Sequence, residues 1–409
     1  MRSKTQRTMA VTSADQAGDH RLRGLQTRRS FPIAMIAASV TLFMLARQIT
    51  GEISDMLDPG CIDVSVDFAV FWGAGHLAAM GEPLAAFSVN RIYEANDATC
   101  PPDWFPFLHP PAFLALMTPL GVLPFPVAWI IFSGVSFAVY AAALGPFCKA
   151  SPSAWVALAC APAVIPVLAV GQFTLLWAGV FLAAFAALRA DRPWSAGILI
   201  GVLTLKPTLG LMIPAALIAI GAWRATAGAA MTSVILNVAA TLIYGPAYWT
   251  NLVDIYTQHA ARLEETLPLL DLMTSIPALL TRLGISYETA VTLQWGLSAL
   301  LAGAVFVIWR SKEIGFDAKM AALAAATCLA TPYFWHYDAG LLAVVALFLL
   351  RSDKVLGTPL TMVAAVLLWM GPALPIFVPV APAAVMIPPL IGMAVILSFA
   401  SAVQRVKTA

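Results

Sequence analysis

The sequence predicts an all-α polytopic membrane protein with about 10–12 transmembrane helices. Three observations carry that prediction. The 409 residues are 60% hydrophobic and only 11% charged, where a soluble domain carries roughly 25% charged residues. The mean hydropathy is +0.85. Basic clusters punctuate a series of long apolar runs, and 29 prolines suggest helices with breaks, which a membrane protein tolerates where freed backbone groups find protein partners. This composition excludes an ordinary soluble enzyme and a disordered chain. With 23 Lys+Arg against 21 Asp+Glu and a net charge of +2, it gives no electrostatic reason to expect nucleic acid.

The elements follow in order. Residues 1–31 carry seven basic side chains (Arg2, Lys4, Arg7, Arg21, Arg23, Arg28, Arg29) against Asp15 and Asp19 and read as a disordered cytoplasmic tail. The run from Pro32 to Ile49 is long enough to cross a bilayer and lacks a small-residue cleavage site, so it reads as a retained first span. The positive-inside rule places the N-terminus in the cytoplasm. The stretch 50–110 is then a large extracytoplasmic loop, with nine acids (Glu52, Asp55, Asp58, Asp63, Asp67, Glu82, Glu94, Asp97, Asp103) and one base, Arg91. Apolar runs near 124–144, 153–170 and 172–188 lead to Arg189 and Arg192. Shorter runs, 194–205 and 207–222, meet at Lys206-Pro207 and return to Arg224. The run 226–246 opens an outer loop to about 287, and 288–309 ends at Arg310 and Lys312. Runs 319–332 and 338–350 flank Thr331–Asp338 and end at Arg351 and Lys354, and runs 357–377 and 382–403 finish at Arg405 and Lys407. Alternation puts both termini inside, with residues 32–404 as a single transmembrane domain.

Five polar features then share the outer edge: Asp67, His109, Gln172, Lys206 and the His336–Asp338 pair. Ionisable groups at membrane depth are costly and face protein or watery cavities. Each also has a bland alternative. Lys206 could snorkel to headgroups, Gln172 could cap a helix break, and His336 between Trp335 and Tyr337 could belong to an aromatic belt. Asp67 opens an apolar stretch that stops at Gly81. It reads as an N-cap acid, a helix over 67–80 too short to span, and a glycine C-cap. Such a helix is expected in the outer interface. Asp67 is then either a cap alone or a chemical group.

The motifs resemble the bacterial glycosyltransferase 87 family. They are Asp67-Phe-x-x-Phe-Trp72, Gly81-Glu-Pro, Pro106-Phe-x-His109-Pro110-Pro111-x-Phe-Leu, Thr118-Pro119-Leu120 and Leu123-Pro124. Further on come Gly171-Gln172, Arg189-x-x-Arg192 followed by Gly197, Lys206-Pro207, Ala330-Thr331-Pro332-Tyr333 and Tyr337-Asp338. The ordered set spans residues 67 to about 345. The resemblance implies the GT-C membrane fold and a relation to polyprenol-phosphate-dependent mannosyltransferases. Two positions depart from the family pattern: His109 and Phe87 stand where tyrosines are usual, which puts the sugar in doubt.

The implied reaction is an inverting transfer of a mannose-like hexose. The donor is a polyprenyl-phosphate sugar, and the acceptor is an extracytoplasmic glycan or glycolipid. A carboxylate must take the proton of the attacking hydroxyl, and in the resembling family an acid of the first outer loop does so, here Asp67. The leaving lipid phosphate needs cationic or hydrogen-bonding partners. Lys206 is the first nominee, with His109, His336 and Gln172 beside it. Asp338, Tyr337, Trp72 and His76 are nominated as substrate contacts. Asp63 and Asp67 are not a DxD pair and no His/Cys cluster has metal spacing, so neither a metal nor another cofactor is expected. The expected site is the periplasmic face of a bacterial inner membrane, with membrane lipids as the remaining partners. A transporter or flippase of lipid-linked sugars is the alternative, since it too would have broken helices and polar groups at depth. Against it, the sequence has no pseudo-repeated halves.

Of five cysteines, Cys148, Cys160 and Cys328 fall in or beside apolar runs. Cys61 and Cys100 share the acidic outer loop, where an oxidising compartment would favour a disulfide. Such a bridge would close a loop of about 40 residues and contribute roughly 3–4 kcal/mol.

Overall fold

The computed structural model describes residues 67–97, 106–149, 151–265, 272–352, 359–373 and 383–406. The basic tail, the run 32–49, and Cys61 and Cys100 lie outside the described residues. Within them every regular element is helical, apart from an isolated bridge between Met273 and Trp335.

The acidic-loop region folds into α1 (Asp67–Ala79), a 3₁₀ turn (Pro83–Phe87), α2 (Val89–Ala95) and α3 (Pro111–Met117). α1 is enclosed by protein: Phe68 to Gly75 and Leu77 are buried, against the 3₁₀ turn, α2 and α3. The physical reason is in its sequence. Asp67-Phe-Ala-Val-Phe-Trp-Gly-Ala-Gly is apolar on every side instead of along one stripe, and such a helix has no face to give to water or headgroups. The chain leaves it at Gly81, whose φ of +87° suits glycine after a helix. A Cβ on Gly121 would collide with the backbone of Gly75 and His76, so the turn after α3 seats directly on α1.

α4 (Phe125–Cys148) packs on α7 (Thr174–Arg189), with Gly179 so close that a Cβ would stand 2.8 Å from the Tyr140 amide nitrogen. Between them, the run 153–170 is broken into α5 (Pro152–Ala159), a 3₁₀ turn (Pro162–Val164) and α6 (Ile165–Ala169). Its prolines remove the amides a continuous helix needs. α8 (Pro193–Val202) runs into a 3₁₀ turn (Leu203–Leu205), and a second 3₁₀ turn (Pro207–Gly210) precedes α9 (Ile213–Ala219). Lys206 sits between the two turns at φ −131°, ψ 78°, the non-helical conformation imposed on a residue before proline. α10 (Trp223–Tyr244) meets α8 through Gly197, Gly201, Ala225 and Gly228, the small-residue contact by which membrane helices approach closely. Its other face exposes Met231, Val234, Ile235, Val238, Leu242 and Ile243, which suits lipid.

α11 (Ala247–Glu265), in the region expected as an outer loop, is followed by α12 (Ile276–Arg282), α13 (Tyr287–Arg310), α14 (Phe316–Ala330), α15 (Leu342–Ser352), α16 (Pro359–Met370) and α17 (Ala383–Val406). α14 and α15 form the buried centre. Arg351, which the sequence placed among the loop charges, is instead interior. It pairs with Asp317 at 3.2 Å and donates to the Phe147 carbonyl, tying together α15, α14 and α4.

Four helical segments among the described residues are long and apolar enough to cross a membrane: Phe125–Cys148, Pro152–Ala169, Trp223–Tyr244 and Tyr287–Arg310. Further apolar runs among the described residues form shorter helices, such as Thr174–Arg189 and Pro193–Leu205, which rise less than the ~30 Å of a hydrocarbon core.

Candidate active site

Among the described residues, a cavity opens between α1, the segment 106–109, the turns around Gln172 and Lys206, α11 and the loop 333–337. Asp67 lines it, at the first position of α1. Its carboxylate takes a hydrogen bond from Gln172 Nε2 at 2.9 Å, and Tyr337 also borders it. The Phe68 amide, which a capping side chain would leave to the helix start, bonds the Val170 carbonyl at 3.0 Å. Asp67 is therefore held by a distant turn more than by its own helix. Burial raises its pKa from the ordinary 3.8 to about 6, against the lowering effects of Gln172 and Lys206.

Gln172 owes its position to Gly171, whose φ is +66° and where a Cβ would stand 2.5 Å from that of Phe68. Its Oε1 accepts from the Phe173 amide at 3.1 Å, so the amide group is used at both ends to hold Asp67. A Gly171→Ala variant combines a left-handed backbone with a collision. It is expected to lose about 2–4 kcal/mol of stability, read as a lowered Tm in detergent; an unchanged Tm would refute this account of the turn.

Lys206 lines the cavity but neither snorkels nor stands free. Its Nζ lies 2.5 Å from Asp338 Oδ1 and 5.0 Å above the Tyr337 ring. Asp338 is 0% exposed. Its Oδ1 also accepts from Thr174 Oγ1 at 2.5 Å, and its Oδ2 from the Trp335 amide at 3.3 Å. Asp338, expected to touch substrate, is thus behind the cavity wall as the counter-ion of Lys206.

His109 lines the cavity with its ring packed on Phe71, Phe107 and Phe113. Burial first, and Lys206 second, lower its pKa to about 3, so it offers a neutral imidazole and not a positive charge. Its carbonyl and that of Leu108 accept hydrogen bonds from Tyr248 and Tyr256 of α11 at 2.9 and 2.8 Å.

Three other nominees are turned elsewhere. Trp72 Nε1 donates to the Leu123 carbonyl at 2.9 Å, and His76 Nδ1 is 2.8 Å from the Gly121 carbonyl, with the two rings stacked at 5.0 Å. Both clamp the turn after α3 and are absent from the cavity lining. The lining also lacks His336, which packs edge-on against Tyr337. Tyr337 lines the cavity near Asp67, with its ring 5.0 Å from Lys206 Nζ.

Sequence reading missed the wall formed by Tyr256, His259, Tyr333 and Trp335. The strand-like link of Thr274 to the Phe334 carbonyl, at 2.7 Å, holds the 333–337 loop in place. Among the described residues no group of three or more His, Cys, Asp and Glu could hold a metal ion. The arrangement offers one carboxylate fixed in a cavity, a buried cation beside it and an aromatic wall.

No curated protein and no solved structure matches the chain. The family model for glycosyltransferase family 87 matches residues 107–332, more than half of the chain, including His109, Gln172, Lys206 and α11. The protein is therefore a membrane glycosyltransferase and a member of glycosyltransferase family 87.

Proposed function

We propose that the protein transfers a hexose from a polyprenyl-phosphate sugar to an extracytoplasmic glycan or glycolipid, with inversion and with Asp67 as general base. The observation that carries the reading is Asp67 itself. It is the one carboxylate lining the cavity among the described residues, and it is oriented by Gln172. In the reaction the acceptor oxygen attacks the anomeric carbon and its proton passes to Asp67. The bond from that carbon to the phosphate oxygen breaks, and the electron pair leaves with the polyprenyl phosphate. Lys206 offsets the charge that develops on the phosphate, while Asp338 fixes the position of its ammonium. The GT-C fold, a bacterial inner-membrane location, cytoplasmic termini and a periplasmic site belong to the same reading. The donor tail lies among the apolar helices, and no metal takes part.

Incubating the purified protein in vesicles with polyprenyl-phosphate [¹⁴C]mannose and an extracted envelope glycolipid fraction tests it. Label is expected to move from the lipid phosphate to the acceptor, with the opposite anomeric configuration. Uptake of label without a new glycosidic bond, or transfer only from a sugar nucleotide, would overturn the proposal. The pH dependence follows from the raised pKa of Asp67. Its base form is lost as pH falls through about 6, so kcat/KM should decline about tenfold for each pH unit below that value. A profile flat down to pH 4.5 would assign the proton elsewhere.

A further inference from the structure

α11 turns one face inward along Tyr248, Leu252, Ile255, His259 and Leu263, all of them buried. Two polar groups near that face, the hydroxyls of Tyr248 and Tyr256, are matched to the backbone carbonyls of His109 and Leu108, which fixes the helix against the cavity segment. His259 comes next along the helix and differs. It is 3% exposed, it lines the cavity, and its Nδ1 has no hydrogen-bond partner among the described residues. Leaving such a group unsatisfied is costly, and in a cavity wall a ligand can offset that cost.

The surroundings define the ligand. The His259 ring is stacked 6.1 Å from Tyr333, Tyr256 lies edge-on to Tyr333 at 6.3 Å, and Trp335 stacks on Tyr337 at 6.2 Å. Because the Tyr256 hydroxyl is engaged with Leu108, that residue offers its ring. The two charged residues of the lining, Asp67 and Lys206, are gathered around Tyr337. Burial lowers the His259 pKa to about 4, so the imidazole is neutral, with one N–H and one lone pair. The non-bridging oxygens of a polyprenyl-phosphate sugar can only accept, whereas a sugar hydroxyl both donates and accepts. Aromatic faces suit the C–H surface of a pyranose and do nothing for an anion.

We propose that His259, with Tyr256, Tyr333 and Trp335, forms a subsite for an uncharged sugar ring of the acceptor, placed so that an acceptor hydroxyl reaches Asp67. The acceptor is then a carbohydrate at its reacting end. This rests on the transfer reaction proposed above, with the donor phosphate near Lys206.

The test uses the full chain in a detergent without sugar. Methyl α-glycosides of mannose, glucose and galactose, with inorganic phosphate as the contrast, are titrated by saturation-transfer NMR. At least one glycoside is expected to bind saturably. His259→Phe should weaken it tenfold or more, His259→Gln should weaken it less, and phosphate should bind all three proteins alike. Tm is measured for each, and His259→Gln carries the test if His259→Phe fails to fold. The proposal is overturned if no glycoside saturates the wild type, or if the folded variants bind it with wild-type affinity. In the transfer assay the same variants should raise the acceptor KM and leave the donor KM unchanged. Normal transfer with an unchanged acceptor KM would remove the subsite and leave the glycosyltransferase reading standing. If the wild type transfers nothing from the lipid phosphate, that reading fails, and the glycoside titration still decides the subsite.

Discussion

Asp67→Asn is expected to abolish hexose transfer while the protein folds at least as well as the wild type. Loss of a general base costs about 10²–10⁴ in rate. The expected stability comes from the direction of the pKa shift. The folded value, about 6, lies above the ordinary 3.8, so the fold favours the protonated carboxyl. That contribution is fully present below the unfolded pKa and is lost as pH rises through the folded one. At neutral pH the ionised side chain therefore costs stability, by about 3 kcal/mol for a shift of about two units. Asparagine removes the charge and keeps an oxygen for Gln172 Nε2. The melting temperature in detergent should be unchanged or higher, and turnover should fall to background. A variant with wild-type turnover would exclude Asp67 as the base. A variant that loses turnover and Tm together would make the position structural.

The parts of this site that sequence could reveal are those with a local signature. Asp67 stands out because an acid opens an apolar stretch, Gln172 because it follows a glycine at a helix break, and Lys206 because a lysine before proline interrupts an apolar run. The last two motifs form non-helical turns, and the structure brings both turns and the start of α1 to one cavity. What could not be read was partner choice. Trp72 and His76 have the composition of a sugar contact, yet carbonyls of the turn at 121–123 take both of them. Nothing near either residue in sequence indicates that turn. His336 adjoins the cavity residues Trp335 and Tyr337 in a six-residue 3₁₀ turn, yet it is absent from the cavity lining. α11 is a different case, because its signal was present. Tyr248, Leu252, Ile255, His259 and Leu263 recur every three or four residues, the helical period. The low hydropathy of the segment hid it among loops. Asp67 and the 335–338 segment also lie outside the stretch matched by the family model, so their place in the site rests on the structure.

Lys206 shows how geometry changes an expected effect. Read alone, it is an edge lysine whose replacement by glutamine should leave stability within about 1 kcal/mol. In the fold its ammonium is bound to a carboxylate 132 residues away, and Asp338 is fully enclosed with Thr174 and the Trp335 amide on its oxygens. Removing one partner of a buried pair strands the other charge and costs about 3–5 kcal/mol. Lys206→Met and Asp338→Leu should therefore each lower Tm sharply. The double variant, with neither charge, should recover most of the loss, since a buried pair replaced by apolar groups is often neutral. Transfer activity separates the chemistry from the packing. The double variant lacks the ammonium that offsets the developing phosphate charge and should remain slow, with the defect in donor turnover and not in acceptor KM. Recovery of both stability and turnover would show that Lys206 serves the fold alone. Wild-type melting in either single variant would show that the pair is not buried in the folded protein.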